Sequence, residues 1–114
     1  MADSYKIDYL EFPSSNVAAS RRFFETAFGW SGVDYGPSYG GIEGAGIDVG
    51  IDADAGRVAA PLAIVRTGDL EQAQRDVEAA GGTITRPAFD FPGGRRFHFR
   101  EPGGNELAVW VATE

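Results

Sequence analysis

His98 is the single imidazole in a chain of 114 residues that contains no cysteine. Imidazole is the one side chain whose ordinary pKa lies near neutrality, so proton abstraction beside a carbonyl would fall to His98 as general base. Glu11 and Glu106 are the carboxylate counterparts: burial of one would raise its pKa and make the two an acid/base pair. Glu11, Asp48, His98 and Glu106 are also donors of the kind that hold Mn, Fe, Ni or Zn. Against that chemistry stands pairing of the carboxylates with Arg66, Arg96 and Arg100, which neutralises buried charge with no ligand at all. Tyr9 and Trp110 offer rings on which a flat ligand could stack. The absence of cysteine removes disulfides, thiolate metal sites and cysteine nucleophiles, and one histidine removes a multi-histidine zinc site within a chain.

The elements that must position these residues repeat. Residues 16–29 (NVAASRRFFETAFG) line up with residues 69–82 (DLEQAQRDVEAAGG), matching Arg22 with Arg75, Glu25 with Glu78, Ala27 with Ala80 and Gly29 with Gly82. Val17, Ser20, Phe24 and Ala27 in one copy, and Leu70, Ala73, Val77 and Ala80 in the other, recur at helical spacing. The pattern predicts helices over 17–28 and 70–80, with Asn16 and Asp69 as N-caps, Asp69 and Gln72 as a capping box, and Gly29 and Gly81–Gly82 as stops. Strands are expected at 5–12, 32–36, 39–43 and 46–52 in the first half, and at 61–66, 83–86, 95–100 and 106–112 in the second. The chain therefore reads as an α+β domain over 1–114, built from two βαβββ modules at about 5–54 and 60–112 whose curved mixed sheet encloses a cleft.

Alternation along the strands sorts side chains between a helix-covered face and the cleft. Ile47, Val49, Ile51, Ala63, Val65, Phe97, Phe99, Leu107, Val109 and Val111 go under the helices. Tyr9, Glu11, Asp48, Arg66, His98, Arg100, Glu106 and Trp110 are left for the cleft. Trp30, just past the first helix, reads as packing between helix and sheet. The glycine-rich tract 36–46 lacks the Gly-Lys-Ser/Thr ending and the following helix of a phosphate loop, so it reads as tight hairpins. The tract 92–96 (PGGRR) reads as a turn with two cations.

Ten basic against seventeen acidic residues give a net charge of −7. That argues against nucleic acid or an anionic membrane as partner, since both select basic surfaces. No apolar run is long enough to span a bilayer, and the start MADSYKIDYLEF lacks a basic segment followed by an apolar one, so a cytoplasmic location is expected.

Three segments carry a resemblance: IDYLEFPSSNVAASRRFFETAFGW at 7–30, DLEQAQRDVEAAGGTI at 69–84 and REPGGNELAVW at 100–110. The chain resembles the vicinal-oxygen-chelate superfamily, also called the glyoxalase/bleomycin resistance/dioxygenase family. With FGW at 28–30 and GGTITRPAFDFPGGRRFHF at 81–99 it looks most like the small glyoxalase-like members. The resemblance implies the paired βαβββ fold, pairing of chains into homodimers, and a divalent metal held by strands of both modules that polarises two neighbouring substrate oxygens. Carried over position by position, the metal ligands fall on Tyr9, Leu62, Ala108 and a place near 48–52. Leu62 and Ala108 cannot bind a metal, so no metal and no cofactor are expected at the usual site.

Two functions follow. One is a protein binding a small oxygenated or aromatic metabolite without metal, through Tyr9, Asp48, Arg66, Arg100 and Trp110. The alternative is a lyase or isomerase, similar to lactoylglutathione lyase, using Glu11, His98 and Glu106 as catalytic or displaced metal-binding groups.

Overall fold

The computed structural model describes residues 5–113. The described backbone falls into two compact units, residues 8–62 and residues 63–113 together with residues 5–7. Each unit runs strand, helix, then three strands.

In the first unit, β1 (Lys6–Pro13) leads into α1 (Val17–Phe28), followed by β2 (Ser31–Asp34), β3 (Tyr39–Glu43) and β4 (Asp48–Asp52). The spatial order is β2-β3-β4-β1, antiparallel except for β1 with β4. That parallel pair needs a crossover, and α1 lies within it. The helix starts where Asn16 turns its side chain back to accept from the Ala19 N–H at 3.0 Å, and it stops at Gly29, whose φ of 72° suits glycine. Val17 packs on Ile42, Val49 and Ile51, with Leu10, Phe12, Phe24 and Trp30 around them. Trp30 stacks on Phe24 at 5.6 Å between ring centroids, as its position after the helix suggested. Ile47 departs from the expected helix-side set: it precedes β4 and is 38% exposed, because the strand begins only at Asp48.

In the second unit, β5 (Leu62–Arg66) and α2 (Leu70–Ala79) precede β6 (Thr83–Phe91), β7 (Gly94–Arg100) and β8 (Glu106–Ala112). The order is β5-β8-β7-β6, with β5 and β8 parallel. Asp69 caps α2 by accepting from the Gln72 N–H at 3.1 Å. Only half of the expected capping box forms. The Gln72 side chain bonds Asp76 instead, and the Asp69 N–H goes to the Thr67 hydroxyl. Leu70 and Ala73 pack on Phe97 and Val109, ringed by Val65, Val77, Ile84, Phe99 and Val111. The strand expected at 83–86 runs on to Phe91, passing Pro87 with register shifts on both sides of Arg86. A proline without an N–H is tolerated there because β6 ends the strand order and the ladder is already irregular. Pro92 and Gly93, the latter at φ 102°, make the two-residue turn into β7.

Candidate functional site

With Phe97, Phe99, Val109 and Val111 turned to α2, alternation puts Arg96, His98, Arg100, Glu106, Ala108 and Trp110 on the opposite face of the second unit's sheet. Cross-strand register then builds a row. Arg66 on β5 is the partner of Trp110 on β8, Trp110 of Arg96 on β7, and Arg96 of Phe89 on β6. Cations and rings alternate across four strands, and they touch. The Arg66 guanidinium carbon sits 4.7 Å from the Trp110 ring centroid, and Arg96 lies 5.4 Å from Phe89 and 5.7 Å from Phe91. Arg86, the partner of His98 one row along, lies 4.4 Å over Phe89. Such contacts hold a guanidinium plane against a ring while leaving its N–H edge for other partners.

His98 stands in the middle of this face and is only 2% exposed. Its Nδ1 is 3.7 Å from Glu106 Oε2, which also accepts a 2.7 Å bond from the Thr85 hydroxyl. Its Nε2 is buried and, among the described residues, has no hydrogen-bond partner. Burial first, then the Arg96 charge, lowers the imidazole pKa to about 4, with Glu106 pulling the other way. His98 is therefore neutral at pH 7, and the nearby carboxylate favours the proton on Nδ1. A base this weak has little driving force to take a proton from carbon, which weighs against the general-base role.

In the first unit a second polar group forms around Tyr9. Tyr39 donates its hydroxyl to Glu11 Oε2 at 2.9 Å, and the Tyr9 and Tyr39 oxygens are also 2.9 Å apart. Since the single Tyr39 proton is committed to Glu11, Tyr9 must be the donor to Tyr39. Burial raises the pKa of both phenols, with the Glu11 charge adding to the effect, so neither supplies a phenolate. Gly50 makes this arrangement possible, since a Cβ there would lie 1.9 Å from the Tyr39 oxygen and 2.7 Å from that of Tyr9. Asp48 pairs with Tyr9 across β1 and β4, with its side chain exposed. Asp52 is fully buried and takes two bonds from Arg57, at 2.7 and 3.1 Å.

The metal that the resemblance implies does not fit these residues. Tyr9 spends its proton on Tyr39, Leu62 and Ala108 are buried and offer no donor, and Asp52 is held by Arg57. Nor does a displaced set assemble: among the described residues, no three His, Asp or Glu side chains come together to hold an ion. Glu11 and Glu106 are instead engaged by hydroxyls.

Of the residues singled out in the sequence, the second unit brings together His98 with Glu106, and Arg66 with Trp110; Arg100 is the cross-strand partner of Glu106. The first unit joins Glu11 and Tyr9 through Tyr39. Sequence reasoning missed Tyr39, Arg86, Phe89 and Gly50 as site builders. The signal for Phe89 was alternation resuming beyond Pro87, whereas Arg86 reaches this face only through the register shift after Ile84, which spacing does not show. The signal for Gly50 was a glycine in the middle of a strand, which marks a close approach.

The family model described as the Glyoxalase/Bleomycin resistance protein/Dioxygenase superfamily matches residues 6–109. No curated protein matches the sequence. Among solved structures, one described as an NAD-dependent benzaldehyde dehydrogenase from Legionella pneumophila superposes with a TM-score of 0.77 at 14% identity, over 92% of this chain and 98% of its own. A glyoxalase/bleomycin resistance protein/dioxygenase superfamily member from Vibrio splendidus 12B01 gives 0.64 at 13% identity, covering 98% and 100%. The Mn(II)-bound glyoxalase from Novosphingobium aromaticivorans gives 0.63 at 16% identity, over 95% of this chain but 40% of its own. At such identities these likenesses speak for the fold alone. Among the described residues no helix is long and apolar enough to cross a membrane.

Proposed function

The chain belongs to the glyoxalase/bleomycin resistance protein/dioxygenase superfamily, and from that premise we propose that it binds a small, flat, oxygenated or aromatic molecule without a metal. The binding surface is the face of β5 to β8 that carries Arg66, Trp110 and His98, with Arg100 and Glu106 at its end. The observation that carries the reading is the alternating row Arg66–Trp110–Arg96–Phe89. Rings give area for stacking, and guanidiniums fixed on them give directed donors at little further entropy cost. A site of this composition holds a ligand with an apolar body and a few polar atoms. Tyr9 and Asp48 are proposed separately, as polar ligand contacts of the first unit. We also take the protein to be cytoplasmic and to act as a homodimer, in line with its family and its cysteine-free composition.

Trp110 is one of two tryptophans, so a Trp30→Phe background leaves it as the sole indole reporter. In EDTA-treated protein, naphthalene-2-carboxylate should quench Trp110 emission saturably. Trp110→Ala should weaken binding of the same compound, read by calorimetry, roughly tenfold or more, consistent with a stacking contact plus the area it buries. The stability of that variant should fall by about 1–2 kcal/mol, the loss expected for a half-buried ring with Arg66 and Phe91 against it, and it should stay folded for the measurement. Undiminished binding in Trp110→Ala would contradict the proposal.

A further inference from the structure

We infer that the ligand of the β5–β8 face is an organic anion, a carboxylate on a flat body, and that a ring-stacked guanidinium, Arg66 on β5 or Arg86 on β6, receives the carboxylate. The inference rests on the binding reading above and specifies its chemistry.

Charge is segregated in this molecule. The chain as a whole carries −7, yet this one face carries Arg66, Arg86 and Arg100, with Arg96 buried beneath Phe89 and Phe91, against a single carboxylate on that face among the described residues of its four strands, Glu106. Glu106 is already engaged by the Thr85 hydroxyl and the His98 ring. Among the described residues, Arg66 and Arg86 have ring faces as partners, Trp110 at 4.7 Å and Phe89 at 4.4 Å, and no carboxylate within ion-pair distance. Arg66 is exposed and Arg86 half-buried, so both are within reach of a molecule arriving from solvent.

A guanidinium stacked on a ring keeps its plane fixed and its N–H edge open. That edge matches the two oxygens of a carboxylate, and the ring beside it matches a flat body continuing from the carboxylate. A cationic ligand would be repelled by Arg66, Arg86 and Arg100, and a neutral one would leave the donor edges to water. Burial is the main cause of the low His98 pKa, and the charges of Arg96 and Arg86 push it in the same direction.

Three probes of one shape separate the possibilities: naphthalene-2-carboxylate, naphthalene-2-carboxamide and naphthalen-2-ylmethylammonium, titrated calorimetrically into the full chain. The carboxylate should bind about tenfold or more tighter than the carboxamide, the scale of a charge-assisted pair, and the ammonium should bind weakest. Raising the salt should shrink the preference, and Arg66→Met with Arg86→Met should bring the ratio of carboxylate to carboxamide affinity down to about one. If the carboxamide or the ammonium binds as well as the carboxylate, the anion inference is overturned and the binding reading survives. If none of the three binds, the binding reading itself fails and this inference falls with it.

Discussion

His98 can be followed without labelling any other site, since it is the only imidazole in the chain. Its folded-state pKa is depressed to about 4 from an ordinary 6.5, chiefly by burial. The sign follows from which state binds the proton. As the pH falls below about 6.5 the unfolded chain protonates this histidine and the folded chain does not, so the stability His98 contributes is full above that pH. It is then lost progressively down to about 4, by at most roughly 3 kcal/mol for a shift of this size. The imidazole C–H resonances in a proton NMR titration should stay at neutral-ring positions from pH 8 to about 5. A midpoint near 6.5 would show that the ring is solvated and the described burial wrong. At this scale the sequence named the residues but not their states. Glu11 and Glu106 were recognisable as carboxylates beside a site. That each would be engaged by a hydroxyl, Tyr39 or Thr85, depended on cross-strand neighbours that one-dimensional spacing does not show.

Elements were legible where a local signal and a periodic one agreed. Asn16 and Asp69 cap the helices, the apolar spacing sets their buried stripes, and Gly29 ends the first by its φ. β6 was half missed because Pro87 reads locally as a stop, while an edge position and two register shifts let the strand continue. The pairing of β3 with β4 hides a further device: Gly41 and Gly50 are cross-strand partners, and Gly50 leaves space for the Tyr39 and Tyr9 hydroxyls. Gly50→Ala should therefore cost about 1–3 kcal/mol in urea unfolding, as overpacking does. Tyr39→Phe in that background should recover part of the loss by removing the atom that a methyl would meet first. A neutral Gly50→Ala would mean the tyrosine pair is not held as described.

For the whole molecule, the repeat of strand, helix and three strands was visible because the same caps and stops occur twice, and the family match over 6–109 agrees with it. Function was not legible to the same degree. The positions at which relatives of this fold would carry a metal hold Tyr9, Leu62 and Ala108, so the inherited site gives no direct chemistry, and the reading moves to the face with Trp110. Assembly also belongs to this scale. Phe23 and Phe28 on α1 are 60% and 58% exposed and touch edge to face, and pairing with a second copy is the expected way to cover them. Multi-angle light scattering at tens of micromolar, about the range of such measurements, should give twice the chain mass of 12.2 kDa, and a monomer would rule the homodimer out.

The central claim, that this chain binds a flat molecule on the β5–β8 face with no metal, is tested most directly by a backbone-amide NMR map of EDTA-treated protein titrated with naphthalene-2-carboxylate. The account predicts saturable shifts concentrated at residues 64–66, 86–91, 94–100 and 106–112, with the Trp110 indole N–H among the largest. Shifts confined to other residues, or binding that begins only when a divalent metal is added back, would contradict it.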